Sequence, residues 1–159
     1  MSLLPIFQSI ELSAVGQAIK TSSWAFAVIE AAHLLALGVI GGAVLVVDLR
    51  LLGFGLTGQP IAEVADEAHP WFVGSLLAML ATGGALFVSE AVKCYYSTPF
   101  RVKMVCLLLA MVFAFTVRRR VTRADETQMR PVWFRLVAFV SLALWFGVGA
   151  GGRWIGFSG

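Results

Sequence analysis

Charged residues are scarce in this sequence. Lys, Arg, Asp and Glu make up 13% of the 159 residues, whereas hydrophobic residues make up 59% and the mean hydropathy is +0.87. Soluble domains contain about a quarter charged residues, so an ordinary soluble fold is excluded. The length accommodates four hydrophobic spans with short connections and leaves no room for a soluble catalytic domain. We therefore expect one integral membrane domain.

Cysteine is also rare. Cys94 and Cys106 are the only two cysteines and form no CxxC motif, so neither a disulfide framework nor a zinc site is indicated. Residues 1–22 lack the basic start, apolar core and cleavage site of a signal peptide, and we expect them to stay on the protein. The net charge of +3 comes with arginines concentrated in one loop, which favours a topology signal over a nucleic-acid partner.

Four apolar runs approach the length of about 20 residues that crosses a bilayer. They cover residues 24–47, 71–92, 100–117 and 132–155. Because short connections make neighbouring spans antiparallel, residues 23–157 are predicted to form an all-α, up-down-up-down four-helix bundle. Residues 1–22 show the apolar face of a short helix lying in the membrane interface.

The connections have distinct characters. After the first span, glycines and Pro60 predict a break followed by a short acidic helix over residues 61–68, and residues 94–99 predict a tight turn. The segment from Arg118 to Arg130 is predicted to be a water-exposed loop. The side with this loop carries seven basic residues against five on the other, so the positive-inside rule places both termini outside the cytoplasm.

Five stretches of the sequence carry a family resemblance. They are IEAAHLLALGVIGG, DLRLLG, HPWFVGSLLAMLATGGALFVSEAV, TPFRVKMVCLLLA and SLALWFGVGAGGRWIGF. They resemble a family of uncharacterised bacterial four-helix inner-membrane proteins, which implies a multi-pass protein of the bacterial inner membrane. The general plan is similar to small b-type cytochromes and to copper-resistance membrane proteins of the D type, although a shared fold does not give function. Members of the family often carry a histidine where this sequence has Thr116 to Arg120, so a ligand there would be missing here.

The first span contains two ionisable residues, Glu30 and His33. At 1.5 Å of rise per residue they lie about 9 and 13 Å inside the outer boundary. They belong to a stripe with helical spacing that also includes Leu37, Gly41, Val44 and Asp48. Because ionisable groups at this depth are costly in lipid, the stripe is predicted to face protein.

Three further ionisable residues are predicted at a similar level. Glu90 and Lys103 lie about 7 and 6 Å deep from the same side, and Arg153 ends the fourth span there. We expect Lys103 and Glu90 to form an ion pair across the tight turn. With Glu30 and His33 they would make one polar layer in the outer leaflet. The alternative is that these groups only hold the helices together.

The layer predicts a cofactor site for b-type haem that serves electron transfer. A neutral His33 imidazole is a usual haem ligand, and Glu30 could orient it as carboxylates orient metal-bound histidines. Lys103 and Arg153 could contact the propionates. His69 lies about 20 Å away in depth, so it is predicted to be a bystander. The second axial ligand stays open among Met79, Met104, Met111 and a residue of another subunit.

Other functions are compatible with the same residues. Cys94, Met104 and Cys106 are soft ligands near His33 that would suit copper. A quinone or another anionic head group could bind at the Lys103 and Arg153 layer, and the partner in electron transfer would be a quinone or a redox protein. A non-catalytic structural subunit needs no cofactor. The GxxxG pairs Gly38 with Gly42 and Gly147 with Gly151 predict self-association of the protein in the bilayer.

Overall fold

The computed structural model describes residues 3–22, 24–124 and 130–157. Its elements are α1 (Leu4–Glu11), α2 (Ala14–Thr21), α3 (Ala25–Leu52), α4 (Ile61–Ser89), α5 (Ala91–Tyr96), α6 (Thr98–Phe113), a π-helical segment (Ala114–Arg118), α7 (Arg119–Thr122) and α8 (Pro131–Phe157). No strand occurs within these ranges. The prediction of an all-α fold is confirmed.

Four helical stretches are long and apolar enough to cross a membrane. They are Ala25–Leu52, Ile61–Ser89, Thr98–Thr122 and Pro131–Trp154. Large apolar side chains such as Leu35, Leu77 and Phe139 are more than half exposed on their outer faces, as expected where helices meet lipid rather than water. The predicted four-helix membrane bundle is confirmed.

The second span differs from its prediction at its start. The acidic helix over residues 61–68 and the span after Pro70 form one continuous helix, α4. A proline inside a helix removes one backbone hydrogen bond and usually breaks or kinks the helix. Here Ile61 and Val64 are buried against residues that include Phe134 of α8, so packing holds the first turns of α4 in place.

The N-terminal segment forms two short helices instead of one. Ser13 separates them and caps α2, because its hydroxyl oxygen accepts a hydrogen bond from the Gly16 N–H at 3.2 Å. Gly16 lies so close to the end of α4 that a Cβ there would be 2.9 Å from the Val88 carbonyl oxygen. A glycine is therefore required for α2 to pack against α4.

The break between α4 and α5 is covered by α1 and α2. Glu90 has the non-helical angles φ −131° and ψ 37°, and the Glu11 carboxylate accepts the Val92 N–H at 2.8 Å just after it. Lys20 forms an ion pair with Glu11. The hydrogen bond from Lys20, followed by the one from Val92, lowers the pKa of Glu11 below its usual value, and the bond to Glu11 raises the pKa of Lys20.

Helix α3 is the centre of the bundle. It packs along α4 and against α8, and α8 packs in turn against α6. One core cluster surrounds Ile40 and Met79, and a second cluster towards the 53–60 connection surrounds Val47 and Phe134. The faces of α4 and α6 meet through aromatic rings, with Phe87 stacked on Phe100 at a centroid distance of 5.7 Å.

Candidate functional site

His33 is a buried polar residue on α3 that faces α4. Its side chain is 9% exposed, and Nδ1 lies 2.9 Å from the Thr82 hydroxyl oxygen. The Thr82 hydroxyl itself donates to the Ala78 carbonyl at 2.7 Å. Its proton is therefore engaged, and we assign the donor role in the His33–Thr82 bond to Nδ1–H. In the neutral ring this assignment makes Nε2 the nitrogen that carries the lone pair, the atom with which a histidine can ligate a metal.

The His33 ring lies against a glycine of α4. A Cβ atom at Gly83 would sit 3.1 Å from His33 Cε1 and 3.5 Å from Nδ1, whereas a Cβ at the next residue, Gly84, would meet nothing within 4 Å. Any side chain at Gly83 would press on the imidazole. The sequence thus supplies both an orienting hydroxyl and the space that the ring needs.

Lys103 on α6 completes the neighbourhood of His33. It is half-buried, and its charge is close enough to interact with the imidazole. Two glycines of α8 make room for its stem: a Cβ at Gly151 would lie 3.2 Å from Lys103 Cβ, and one at Gly152 would lie 3.5 Å from Nζ. The lysine ammonium therefore reaches the end of α8, where the exposed Arg153 follows directly.

Glu30 does not share the buried position of His33. Its side chain is exposed on α3, although it is one turn from His33. Glu30 lies at the edge of the buried stripe, which the described helices leave uncovered at this level. The orienting partner of His33 is Thr82, a residue that the sequence analysis did not single out.

The predicted ion pair between Lys103 and Glu90 is wrong. Glu90 Oε2 lies 3.7 Å from Lys93 Nζ, and the described residues contain no Glu90–Lys103 pair. The reason is local: residues 91–96 form helix α5 instead of a tight turn, so Lys93 stands one helical turn from Glu90. Glu90 belongs to the helix break and not to the surroundings of Lys103.

The two histidines are far apart. His69 is exposed on α4, thirteen residues before Thr82 on the same helix, which corresponds to about 20 Å of axial rise. It lines a small cavity of about 40 Å³ together with Asp66 and Arg118. The position agrees with the predicted separation from His33.

The soft ligands are dispersed. Cys106 Sγ faces α8, since a Cβ at Gly147 would lie 3.0 Å from it, and Met104 is 45% exposed. Cys94 lies in α5, where burial and then the charge of Glu90 raise the pKa of its thiol to about 11. In the part of the chain that the structure describes, no three His, Cys, Asp or Glu side chains form a group that could hold a metal ion.

The methionines considered as second ligands differ in position. Met79 is 2% exposed in the core cluster and lies one turn before Thr82. Met104 points outwards, and Met111 is partly buried on α6. Of these three methionines, Met79 is the buried one that lies on the same helix as Thr82 and within one turn of it.

A buried ion pair was missed by the sequence analysis. Arg118 was predicted in a water-exposed loop, but it is 9% exposed and its Nε donates to Asp48 Oδ1 at 3.0 Å. Its Nη2 also donates to the Val44 carbonyl at 3.2 Å. Asp48 Oδ2 and Ser141 Oγ, which are neighbours, are buried without a hydrogen-bond partner of good geometry among the described atoms.

The two GxxxG pairs have different surroundings. Gly147 and Gly151 receive Cys106 and Lys103 of α6, so they serve packing within the chain. Gly38 and Gly42 are exposed, and a Cβ at either position would meet nothing within 4 Å. Of the two pairs, the one on α3 remains open to another molecule.

Comparison with known proteins identifies a family and no individual relative. No curated protein and no solved structure matches the chain. A family model described as a family of unknown function, DUF6644, matches residues 6–158, which includes all four spans. The resemblance to a family of unknown function is thereby confirmed, and the chain belongs to the DUF6644 family.

Proposed function

We propose that the protein binds b-type haem through His33 and serves electron transfer in the bacterial inner membrane. The observation that carries this proposal is the His33–Thr82 hydrogen bond at 2.9 Å, because with Nδ1 as its donor the ring is oriented by Thr82 and Nε2 is the atom that would ligate iron. A bound haem would supply one-electron redox chemistry, with a quinone or a protein as the redox partner. Both termini would lie in the periplasm.

The available donors suit haem better than a bare metal ion. A copper or zinc site takes several protein ligands, whereas the porphyrin supplies four nitrogens and needs one or two axial side chains. His33 is the nitrogen donor, and the buried Met79 is the candidate for a sulfur donor. Phe87 and Phe100 are stacked on each other between α4 and α6, so a flat macrocycle would pack against this aromatic contact only if the two rings moved apart.

The charged residues would act on the periphery of the group. Lys103 and Arg153 are placed to contact carboxylates, since the Lys103 ammonium reaches the end of α8. Glu30 and Glu90 would contribute only at long range. Thr82 takes the orienting role and should matter more than Glu30.

Haem content per folded protein in three variants tests the proposal. His33→Ala should abolish the Soret band, because it removes the donor nitrogen, and Thr82→Val should lower haem content, because it frees the ring. His69→Ala is the matched control and should retain haem. Retention of haem in folded His33→Ala would remove His33 as the ligand, and loss in His69→Ala would contradict the single-chain site.

A second candidate function is a non-catalytic subunit that assembles through α3. The open glycines Gly38 and Gly42 and the exposed Glu30 favour it, since an ionisable side chain on a spanning helix is costly against lipid and a neighbouring subunit would cover it. Gly42→Leu should then lower the oligomeric mass measured by native mass spectrometry. Gly84→Leu, at an equally open glycine of α4, should leave the mass unchanged.

A further inference from the structure

An arginine-lined groove lies at the end of the third span, away from His33. It has a volume of about 490 Å³ and is lined by Phe115, Thr116, Arg119, Arg120 and Arg123. Its arginines follow the buried Arg118, and none of them takes part in the candidate haem site. The groove thus has a charge and a shape that the proposed function does not use.

The helix periodicity explains why these arginines point outwards. Leu107, Ala110, Ala114, Arg118 and Val121 are buried and recur every three or four residues, so they form the inner face of this span. Arg119 and Arg120 lie between the last two of these positions and are exposed. The Asp48–Arg118 pair ties the inner face to α3 and fixes the orientation of the outer one.

Among the described residues, one of the three arginines of the groove has an acidic partner. Arg123 Nη2 lies 3.4 Å from Asp66 Oδ1, and both side chains are more than half exposed. Arg119 and Arg120 have no acidic partner among residues 3–22, 24–124 and 130–157. Guanidinium groups present several N–H donors in a planar fork that matches phosphate oxygens.

The position along the span indicates what kind of anion fits. The spanning stretch ends at Thr122, so Arg119 and Arg120 lie in its last turn, at the level of lipid head groups. Phe115, which lies one turn deeper on the groove wall, is 42% exposed and apolar. A ligand with a negative head and an apolar tail would meet both kinds of surface.

We propose that this groove binds the phosphate-bearing head group of an anionic phospholipid. The guanidinium groups of Arg119 and Arg120 donate to the phosphate oxygens, with Arg123 at the rim, and Phe115 contacts the start of an acyl chain. Basic pockets at the ends of membrane helices hold anionic lipids by the same combination of charge and depth. The site is independent of haem binding.

Native mass spectrometry of the full chain in detergent tests the proposal. It measures the binding of two probe lipids, the anionic phosphatidylglycerol and the zwitterionic phosphatidylcholine. The wild type should prefer phosphatidylglycerol. Arg119→Gln combined with Arg120→Gln should weaken its binding by about tenfold, since hydrogen bonds to charged groups are the strong ones. Arg119→Lys with Arg120→Lys keeps the charge but loses the planar fork, so its affinity should lie between those of the wild type and of the glutamine double variant.

The control removes the same charge outside the groove. Arg130→Gln with Arg135→Gln changes two exposed arginines of the same side and should leave phosphatidylglycerol binding within about twofold. An equal loss in both double variants, or no loss in the first, would overturn the proposal. Displacement of the lipid by inorganic phosphate at equal phosphate concentration would assign the groove to the free ion and overturn the lipid. If the first double variant does not fold, each single variant should still weaken binding by about threefold, and unchanged singles would overturn the site.

Discussion

Replacing one partner of the buried Asp48–Arg118 pair should destabilise the protein far more than replacing an exposed pair. The Asp48 side chain is 0% exposed and that of Arg118 is 10% exposed, so neither charge can recover its hydration when the other is removed. Asp48→Asn leaves the guanidinium unneutralised, and Arg118→Met removes the one donor of good geometry that the carboxylate has among the described residues. Each single replacement should cost about 3–5 kcal/mol of unfolding free energy.

The double variant should cost much less than the sum of the two singles. Removing both charges eliminates the desolvation penalty, and the amide introduced by Asp48→Asn can still bond to Ser141 nearby. We expect a coupling free energy of about 2–3 kcal/mol. The assay is denaturant unfolding of the detergent-solubilised protein, followed by circular dichroism, for the wild type, both singles and the double.

The exposed pair Arg123–Asp66 supplies the control cycle. Its side chains are 55% and 65% exposed, and its coupling should be about 0–1 kcal/mol. If the Asp48 and Arg118 replacements prove additive, the buried pair does not act as a unit. If Asp48→Asn and Arg118→Met lower the unfolding free energy no more than Arg123→Gln does, the Asp48–Arg118 pair is hydrated and not buried.

Three further results are expected. Gly83→Ala should destabilise the protein, because the new Cβ would press on the His33 ring. Gly84→Ala should stabilise it by up to about 1 kcal/mol through helix propensity. Equal effects of the two variants on thermal unfolding would contradict the contact between residue 83 and His33. Because the pKa of Glu11 is lowered in the folded protein, its carboxylate stabilises the fold above the unfolded-state pKa of 4.5, and this stabilisation is lost as the pH falls through the folded-state pKa. The difference in unfolding temperature between wild type and Glu11→Gln should therefore vanish in acid. A difference that stays constant with pH would refute the role of the carboxylate. Alkylation of Cys94, measured with the other cysteine replaced by serine, should rise with pH through about 11, and a midpoint near pH 8.5 would exclude the buried thiol.

The fold could be read from the sequence because lipid imposes a simple rule. Each span must be apolar and helical, so hydropathy and length alone located all four. The residues at which the helices begin depended on packing. Helix α4 begins at Ile61 because Ile61 and Val64 are buried in the second core cluster. No local signal near Pro70 reveals this burial.

The candidate site was only partly predictable. The burial of His33 followed from the cost of an imidazole in lipid. Its contact with Thr82 depends on the register between α3 and α4, which helical periodicity within one span does not contain. Glu30 lay on the predicted stripe but at its uncovered edge.

The buried pair shows the same limit. Asp48 lies four residues after Val44 on the predicted inner stripe, so its burial was foreseeable. Arg118 is the first of three consecutive arginines, and charge alone places it in water. The inner periodicity through Ala110 and Ala114 continues to Arg118, and this was the signal that could have located it.

The visible absorption spectrum of the purified wild-type protein tests the haem proposal most directly. After expression in a haem-replete bacterial host and purification in mild detergent, we expect a Soret band and, on reduction with dithionite, the α and β bands of a b-type haem, in a stoichiometric ratio to protein. Their strong decrease in His33→Ala, together with retention in His69→Ala, would assign the ligand. A folded wild-type protein that remains colourless after haem is added would contradict the proposal, and if it is also free of metal the structural subunit would be the remaining function.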